Sequence, residues 1–226
     1  MDAVIKVGGS LAEDPEKLRV LCQKLSALAK KYALIVVPGG GGFADVVRDF
    51  DKRFALSGNV SHKMAILAMD QFGLLLSDIM PGSRVFHRLE NAKQLSEAGV
   101  TPIFLPSWLM FQENPLENSW SVTSDSIAAY VASRVHSEKL VLVTDVDGVF
   151  TSDPKKDSGA TLIERLSAEQ LLKLNWRTSV DPYLPKLLFY AQADCYVVNG
   201  GFPERVEAVL TGLRTTCTFV VARVGE

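Results

Sequence analysis

The sequence predicts an α/β fold: an open, mostly parallel β-sheet sandwiched between helices in a three-layer αβα arrangement. Short β-rich runs at 3–7 and 33–37 flank a segment in which leucines recur at helical spacing. The run at 33–37 is apolar throughout, which is typical of a strand buried on both faces. Strand, helix and apolar strand in succession form the βαβ unit of a parallel sheet.

The first part of the chain continues this alternation. Asp14 is a candidate N-cap and Pro15 fits the first position of a helix that extends to Lys31. A helix should start near Phe43, with Val46, Val47 and Phe50 on one face. The other predicted elements are helices at 61–77 and 124–136, strands at 84–86 and 100–105, and a loop at 114–121.

The second part is expected to complete the sheet. Apolar strands are predicted at 140–144, 195–198 and 217–222. Ser167 and Gln170 have the spacing of a capping box that opens a short helix, and Asp181-Pro182 opens another. A helix at 203–211 should stop at Gly212, which is a suitable C-cap. An antiparallel strand or hairpin is compatible with this pattern.

Composition excludes several classes of protein. The chain has 226 residues, 24 Lys and Arg, 26 Asp and Glu, and 47% hydrophobic residues, as expected of a soluble globular protein with one large α/β domain or two closely joined lobes. The slightly acidic balance argues against nucleic-acid binding, and the lack of a long apolar run argues against a membrane span. The N-terminus lacks the pattern of a signal peptide, and Cys22, Cys195 and Cys217 form no CxxC pair. We therefore expect a cytoplasmic protein whose cysteines are small buried hydrophobic residues.

Glycine-rich turns follow the first two predicted strands. The first strand leaves as Gly8-Gly9-Ser10, and the second leaves into four glycines at 39–42. Ligands of open α/β sheets bind beyond the carboxyl ends of the strands, and glycine turns that precede helices bind anions. Two neighbouring turns could hold two phosphate groups, with Lys6 as a point charge between them. This is the arrangement that phosphoryl transfer requires.

Each feature also has a purely structural interpretation. A glycine pair after a strand is usually only a tight turn, and a lysine in an apolar strand can extend to solvent from an edge. Four consecutive glycines favour close approach of a ligand, because they are costly in folding entropy.

Other known motifs fit poorly. A P-loop is absent, and the formal dinucleotide pattern from Gly39 to Ala44 lacks the acidic residue that should follow about 20 positions later. A calcium loop starting at Asp145 would have Phe150 in place of its glycine. The segment VTDVDGVF resembles the nucleophile strand of haloacid-dehalogenase phosphatases, but no acid pair ends a later strand.

Four segments together resemble the amino acid kinase family over nearly the whole chain: IKVGGS, VVPGGGGFA, VTSDSIAAYVA and VTDVDGVFTSDP. The resemblance implies an ATP- and Mg²⁺-dependent kinase that forms a homo-oligomer. It also implies one domain, 1–226, in which about 1–136 binds the acceptor and about 137–226 binds the nucleotide. The expected partner is a small phosphorylated molecule.

The family resemblance also implies roles for individual residues. Lys6 should reach the transferred phosphoryl group, and Asp125 should orient this lysine. Nucleotide-binding residues are implied at Gly8, Gly9, Ser10, Asp145, Gly148, Val149, Phe150, Asp153, Pro154 and Lys186. Acceptor-binding residues are implied at Gly40, Gly41 and Gly42. No protein side chain is assigned to a metal.

Longer matches, such as SHKMAILAMDQFG and YVVNGGFPERV, resemble the subgroup of this family that acts in methanofuran biosynthesis. They imply phosphorylation of [5-(aminomethyl)furan-3-yl]methyl phosphate to the diphosphate. The alternatives are a kinase for isopentenyl phosphate or a nucleoside monophosphate, and a non-catalytic nucleotide sensor or storage subunit.

Several side chains near the expected acceptor site keep two interpretations. His62 is either a structural histidine or a hydrogen-bond donor to the acceptor phosphate. Trp108 and Trp120 either pack in a core or interface, or face the furan ring and its ammonium. Asp49 and Asp51 are expected on a solvated helix face.

Overall fold

Eight strands form one sheet in the computed structural model, which describes residues 1–174, 178–191 and 193–222. The strands are β1 (Ala3–Val7), β2 (Leu34–Pro38), β3 (Ser83–Phe86), β4 (Thr101–Phe104), β5 (Lys139–Thr144), β6 (Arg165–Ser167), β7 (Asp194–Asn199) and β8 (Thr218–Val221). Their order is β3-β4-β2-β1-β5-β7-β8-β6. All neighbouring strands are parallel except β7 and β8. The predicted open, mostly parallel sheet is therefore confirmed.

Nine α-helices connect the strands within these described ranges. They are α1 (Pro15–Ala29), α2 (Gly41–Phe54), α3 (Gly58–Ile79), α4 (Ala92–Glu97), α5 (Ser107–Glu113), α6 (Ser124–Arg134), α7 (Ala168–Leu172), α8 (Leu184–Leu188) and α9 (Glu204–Thr211). A 3₁₀ turn, Gly9–Glu13, leads from β1 into α1. None of the helices in the described part of the chain is long and apolar enough to cross a membrane.

Both faces of the sheet are covered, as the apolar strands predict. Neighbouring residues of one strand point into different cores: Val4 belongs to the core built mainly with α6 and α8, and Ile5 to the core built with α1 and α9. Residues of β2 and β5 alternate in the same way. Burial on both faces explains why these strands read as continuous apolar runs rather than as an alternating pattern.

Local signals set the helix ends. The Asp14 side chain accepts the Lys17 N–H at 3.1 Å ahead of Pro15, and Ser167 and Gln170 form the predicted capping box. Gly212, with φ of +74°, ends α9 in the left-handed conformation that favours glycine.

Some sequence expectations were wrong or incomplete. Helix α2 begins at Gly41, two residues before Phe43, and its apolar residues do not share one buried face. Val47 is buried, whereas Val46 is 55% and Phe50 38% exposed. The short elements α4, α5 and β6 were not predicted, because three to seven residues carry too little periodicity to identify them.

Candidate active site

A buried ion pair lies at the centre of the sheet. Lys6 on β1 is 7% exposed, and Asp125 in the first turn of α6 is 4% exposed. The Lys6 Nζ lies 2.7 Å from the Asp125 Oδ1. β1 pairs with β2 on one side and with β5 on the other, so the loops after all three strands surround this ammonium. The role implied by the family resemblance, that Asp125 orients Lys6, remains a prediction to which this contact gives a geometry.

The glycine turns after β1 and β2 pack directly against each other. A Cβ added to Gly9 would overlap the backbone of Gly41, and one added to Gly39 would lie 2.7 Å from the Gly9 amide nitrogen. Gly41 also has φ of +55°. At these positions glycine is required by contact between two backbones, which adds a second reason to the ligand approach inferred from the sequence.

Gly42 differs from its neighbours, because a Cβ there would meet nothing within 4 Å. It lines a cavity of about 420 Å³ that also reaches Gly9, Ser10, Gly40 and Gly41. Helix α3 and the start of α6 close the cavity through residues that include His62 and Thr123. The predicted acceptor residues therefore surround one concave site next to the turn that follows β1.

Charged side chains on the cavity wall carry both signs. The lining includes Glu13, Asp45 and Arg48, and Arg48 pairs with Asp45 at 2.7 Å. The Arg48 guanidinium also lies 4.7 Å from the ring centroid of Trp120. A ligand that fills this cavity meets an arginine beside two carboxylates, so the wall can receive a molecule that carries a negative and a positive group.

The two tryptophans and two aspartates named in the sequence analysis lie in different surroundings. Trp120 lines the cavity, and its Nε1 donates to Asp51 at 2.6 Å. Trp108 lies instead beside Arg88 on another surface depression. Asp49 pairs with Arg53 on an exposed face of α2, as expected, but the assignment of Asp51 to a solvated face was wrong because it holds the indole of Trp120.

His62 is 7% exposed and faces the same cavity. Burial lowers the pKa of this imidazole below its ordinary value. His62 is therefore neutral at pH 7, with one ring nitrogen able to donate and the other to accept a hydrogen bond. A neutral donor can bind a phosphate oxygen without adding a fixed charge.

The loop after β5 lies on the other side of β1. Burial raises the pKa of Asp145, but hydrogen bonds, chiefly with Lys155, outweigh it and leave the pKa below its usual value. Ser10 contributes to the same lowering. Ser10 also lines the cavity beside the glycine turns, which places it between the two expected binding regions.

The remaining expected nucleotide residues occupy different environments. A Cβ on Gly148 would overlap Thr218, and the Val149 N–H donates to the Thr218 Oγ1 at 2.8 Å. Val149 is fully buried, and Phe150 forms a β-bridge with Leu162. These residues fasten the loop to the sheet. Asp153 accepts the Lys155 N–H at 3.0 Å, next to exposed Pro154.

Lys186 lies on α8 with an exposed side chain, and its Nζ is 4.9 Å from the ring centroid of Tyr183. The structure gives it no described contact with either glycine turn. Its assignment to a phosphate remains a prediction.

Sequence reasoning missed Arg48, Glu13 and Lys155 as site residues. Arg48 follows the cavity-lining residue Ala44 at i+4 on α2, so its position on the same helix face, two turns after Gly41, was an available signal. Nothing local marked Glu13 or Lys155, because their positions depend on how separate loops meet.

Comparison with known proteins identifies the family of this chain. The model of the amino acid kinase family matches residues 1–199. The chain belongs to the amino acid kinase family. Lys6, Asp125 and both glycine turns lie within the region that the family model matches.

Relatives span nearly the whole of this amino acid kinase. A [5-(aminomethyl)furan-3-yl]methyl phosphate kinase of Methanocaldococcus jannaschii is 34% identical over 96% of this chain and 97% of its own. A uridylate kinase of Methanothrix thermoacetophila is 30% identical over 88% of this chain and 91% of its own. A solved uridylate kinase from Archaeoglobus fulgidus superposes with a TM-score of 0.77 at 24% identity, covering 98% and 100% of the two chains. That likeness supports the fold.

Proposed function

We propose that this protein is an ATP-dependent phosphotransferase that phosphorylates the phosphate group of [5-(aminomethyl)furan-3-yl]methyl phosphate to the diphosphate in methanofuran-type cofactor biosynthesis. The observation that carries the transfer chemistry is the buried Lys6–Asp125 pair between two glycine turns, beside a concave cavity. The relative with 34% identity over almost the full chain supports the choice of acceptor.

The reaction needs charge neutralisation more than proton removal. An acceptor phosphate is largely dianionic at neutral pH, since its second pKa is about 6. One of its oxygens forms a bond to the γ-phosphorus of ATP, while the bond from that phosphorus to the β–γ bridging oxygen breaks and ADP leaves. Both reactants are anions, so the ammonium of Lys6 and the backbone amides of the glycine turns would reduce their repulsion.

Asp125 keeps the lysine oriented for this task. Its Oδ1 is 2.7 Å from the Lys6 Nζ, and both groups are buried. An ammonium held in one place costs little reorganisation when charge develops in the transition state. Asp125 is therefore assigned an electrostatic role and not that of a general base.

Mg²⁺ would enter this site with the nucleotide. The described residues contain no group of three or more His, Cys, Asp or Glu that could hold a metal ion by themselves. Mg²⁺ in kinase sites usually binds substrate phosphates and water together with one or two carboxylates, so its donors would come mainly from ATP. It would supply further charge neutralisation.

The cavity wall favours an acceptor that has an amine as well as a phosphate. Arg48 and His62 offer donors for phosphate oxygens, whereas Glu13 and Asp45 are carboxylates that a purely anionic acceptor would be repelled by. The Trp120 ring, held by Asp51 and in contact with the Arg48 guanidinium, adds an aromatic wall against which a furan can pack. We assign the acceptor to about 1–136 and the nucleotide to about 137–226.

An ADP-release assay with three acceptors tests this function: the aminomethylfuran phosphate, isopentenyl phosphate and UMP. The proposal requires turnover that is fastest with the aminomethylfuran phosphate. Preference for UMP would favour the nucleoside monophosphate alternative, which the similarity to a 30% identical uridylate kinase supports. Nucleotide binding without turnover of any acceptor would indicate a sensor or storage subunit.

We further propose a cytoplasmic homo-oligomer built on α2 and α3. Apolar side chains are exposed along both helices: Phe43, Val46, Phe50, Phe54, Val60, Leu67, Leu74 and Leu75. Helix α3 is self-complementary when two copies run antiparallel about a point between Asp70 and Gln71, because exposed Lys63 then meets Asp78 and Leu67 meets Leu74. Sedimentation of Leu74→Glu beside the unchanged protein tests this, and an unaltered mass would refute the interface.

A further inference from the structure

Asp181 is a buried carboxylate with an unusually complete set of hydrogen bonds. It is 6% exposed. Its Oδ2 accepts from the N–H and hydroxyl of Thr123, each at 2.9 Å, and from the Ser126 N–H at 2.9 Å. Its Oδ1 accepts from the Ser126 hydroxyl at 2.6 Å and from the Leu184 N–H at 2.8 Å. A further N–H, from Tyr183, donates to Oδ1 at 3.2 Å.

These bonds join two helix starts that are far apart in sequence. Ser126 is the third residue of α6, and its N–H has no partner within that helix. Thr123 precedes α6 without a side-chain cap of its own. Leu184 is the first residue of α8. A single carboxylate from the segment before α8 therefore caps both helices.

The same segment holds the carboxylate that faces the lysine. The Asp181 N–H donates to the Asp125 Oδ2 at 3.0 Å. This bond fixes the plane of the Asp125 carboxylate and leaves Oδ1 directed at the Lys6 Nζ, 2.7 Å away. If the backbone of Asp181 moved, Asp125 would lose one of the two contacts that set its orientation.

The segment is also tied to the loop after β5. The Ser179 hydroxyl donates to the carbonyl oxygen of Gly148 at 2.9 Å. Contacts therefore run from the Gly148 loop through residues 179–181 to Asp125 and Lys6. They connect the region assigned to the nucleotide with the N-terminus of α6, where Thr123 lines the acceptor cavity.

We infer that Asp181 is a positioning residue for phosphoryl transfer, acting through Asp125 on Lys6. This inference rests on the proposed kinase function and names a residue that the sequence marked only as a helix start. Capping alone needs no more than a neutral hydroxyl. A carboxylate buried beside Asp125 is more costly, because burial and the charge of Asp125 both raise its pKa. The presence of a carboxylate here is explained because its two oxygens accept all six donors while the N–H of the same residue holds Asp125.

Asp181→Asn tests the inference by steady-state kinetics with ATP and the aminomethylfuran phosphate. The amide cannot accept at both former oxygens, so the segment loosens and Asp125 turns. We expect kcat to fall by about 10- to 100-fold, the size of loss that small misplacements cause. The acceptor KM should stay within about threefold, because no cavity-lining side chain is removed.

Asp70→Asn provides the matched control. Asp70 on α3 accepts the Ser107 N–H at 3.2 Å and the Ser107 hydroxyl at the start of α5, outside this network. It should lower the melting temperature while leaving kcat close to that of the unchanged protein. Equal losses of kcat in both variants would reduce Asp181 to a structural cap and overturn the inference.

Ser126→Ala keeps the question answerable if Asp181→Asn does not fold. It removes one of the six donors, and we expect kcat to fall about three- to tenfold at constant KM. An unchanged kcat would contradict the positioning role.

A crystal structure of Asp181→Asn, or of Ser126→Ala, without substrate separates the two proposals. The inference requires the Lys6 Nζ to Asp125 Oδ1 distance to exceed the 2.7 Å of the unchanged protein and pass the limit of an ion pair, about 4 Å. A preserved pair would overturn it whatever the acceptor is. Failure of the unchanged protein to phosphorylate any acceptor would instead overturn the proposed function and leave this measurement valid.

Discussion

Replacing Lys6 with Met tests whether the lysine compensates a buried charge. Methionine roughly keeps the volume but removes the ammonium, so Asp125 loses its partner at 2.7 Å in a site that is less than 10% exposed. Breaking a buried pair from one side typically costs about 3–5 kcal/mol, because the remaining charge stays uncompensated. We expect a loss of that size in the free energy of unfolding, measured from urea-denaturation midpoints with unchanged slopes.

The double variant Lys6→Met with Asp125→Asn isolates the charge. Its amide is neutral and can still accept the Asp181 N–H through its oxygen, so this variant should be more stable than Lys6→Met alone. Lys93→Met, in an exposed pair with Glu97, should change stability by less than about 0.5 kcal/mol. A loss below about 1 kcal/mol for Lys6→Met, or a double variant less stable than the single one, would refute the argument. Turnover should be lost in both Lys6 variants.

The other predictions concern the cavity and the buried titrating groups. Gly42→Ala should raise the acceptor KM about tenfold without loss of melting temperature, because its Cβ meets only open space, whereas Gly41→Ala should destabilise through its positive φ. The folded-state pKa of His62 is below its unfolded value of 6.5, so the unfolded chain binds the proton first and the free energy of unfolding should fall as pH drops through about 6.5. His62→Gln should make this fall smaller, as measured by urea titrations at pH 5.5 and 7.5. An equal fall in the variant and the unchanged protein would contradict the prediction. Burial raises the pKa of Cys22 to about 12, so this thiol should resist Ellman's reagent at pH 8 until the protein unfolds, and rapid labelling of the native protein would contradict its burial.

Local patterns determined the architecture of this protein to a large extent. The apolar runs that became β1, β2, β5 and β7 required cover on both faces, and that alone indicates a parallel sheet with helices on either side. The glycine turns were also visible, because strand, glycines and helix follow one another directly in the chain. Lys6 was visible from its place just before the first glycine turn, Asp125 came from the family resemblance, and the structure brings them into contact.

Residues that act through distant partners could not be found this way. Asp181 reads as an ordinary helix start, and only the folded chain places it against Thr123 and Ser126, more than 50 positions earlier. The exposure of Val46 and Phe50 was equally hidden, since periodicity shows which residues share a face but not whether another helix covers it.

The sequence by itself therefore predicted most of the strands and the glycine turns that follow them, and with these the edge of the sheet at which we expect ligands to bind. Tertiary structure decided which glycines contact each other, which carboxylate faces the lysine and which charges line the cavity. The physical reason is range: hydrophobic periodicity and turn preferences act over a few neighbouring residues, whereas ion pairs and cavities form between segments that only the folded sheet brings together.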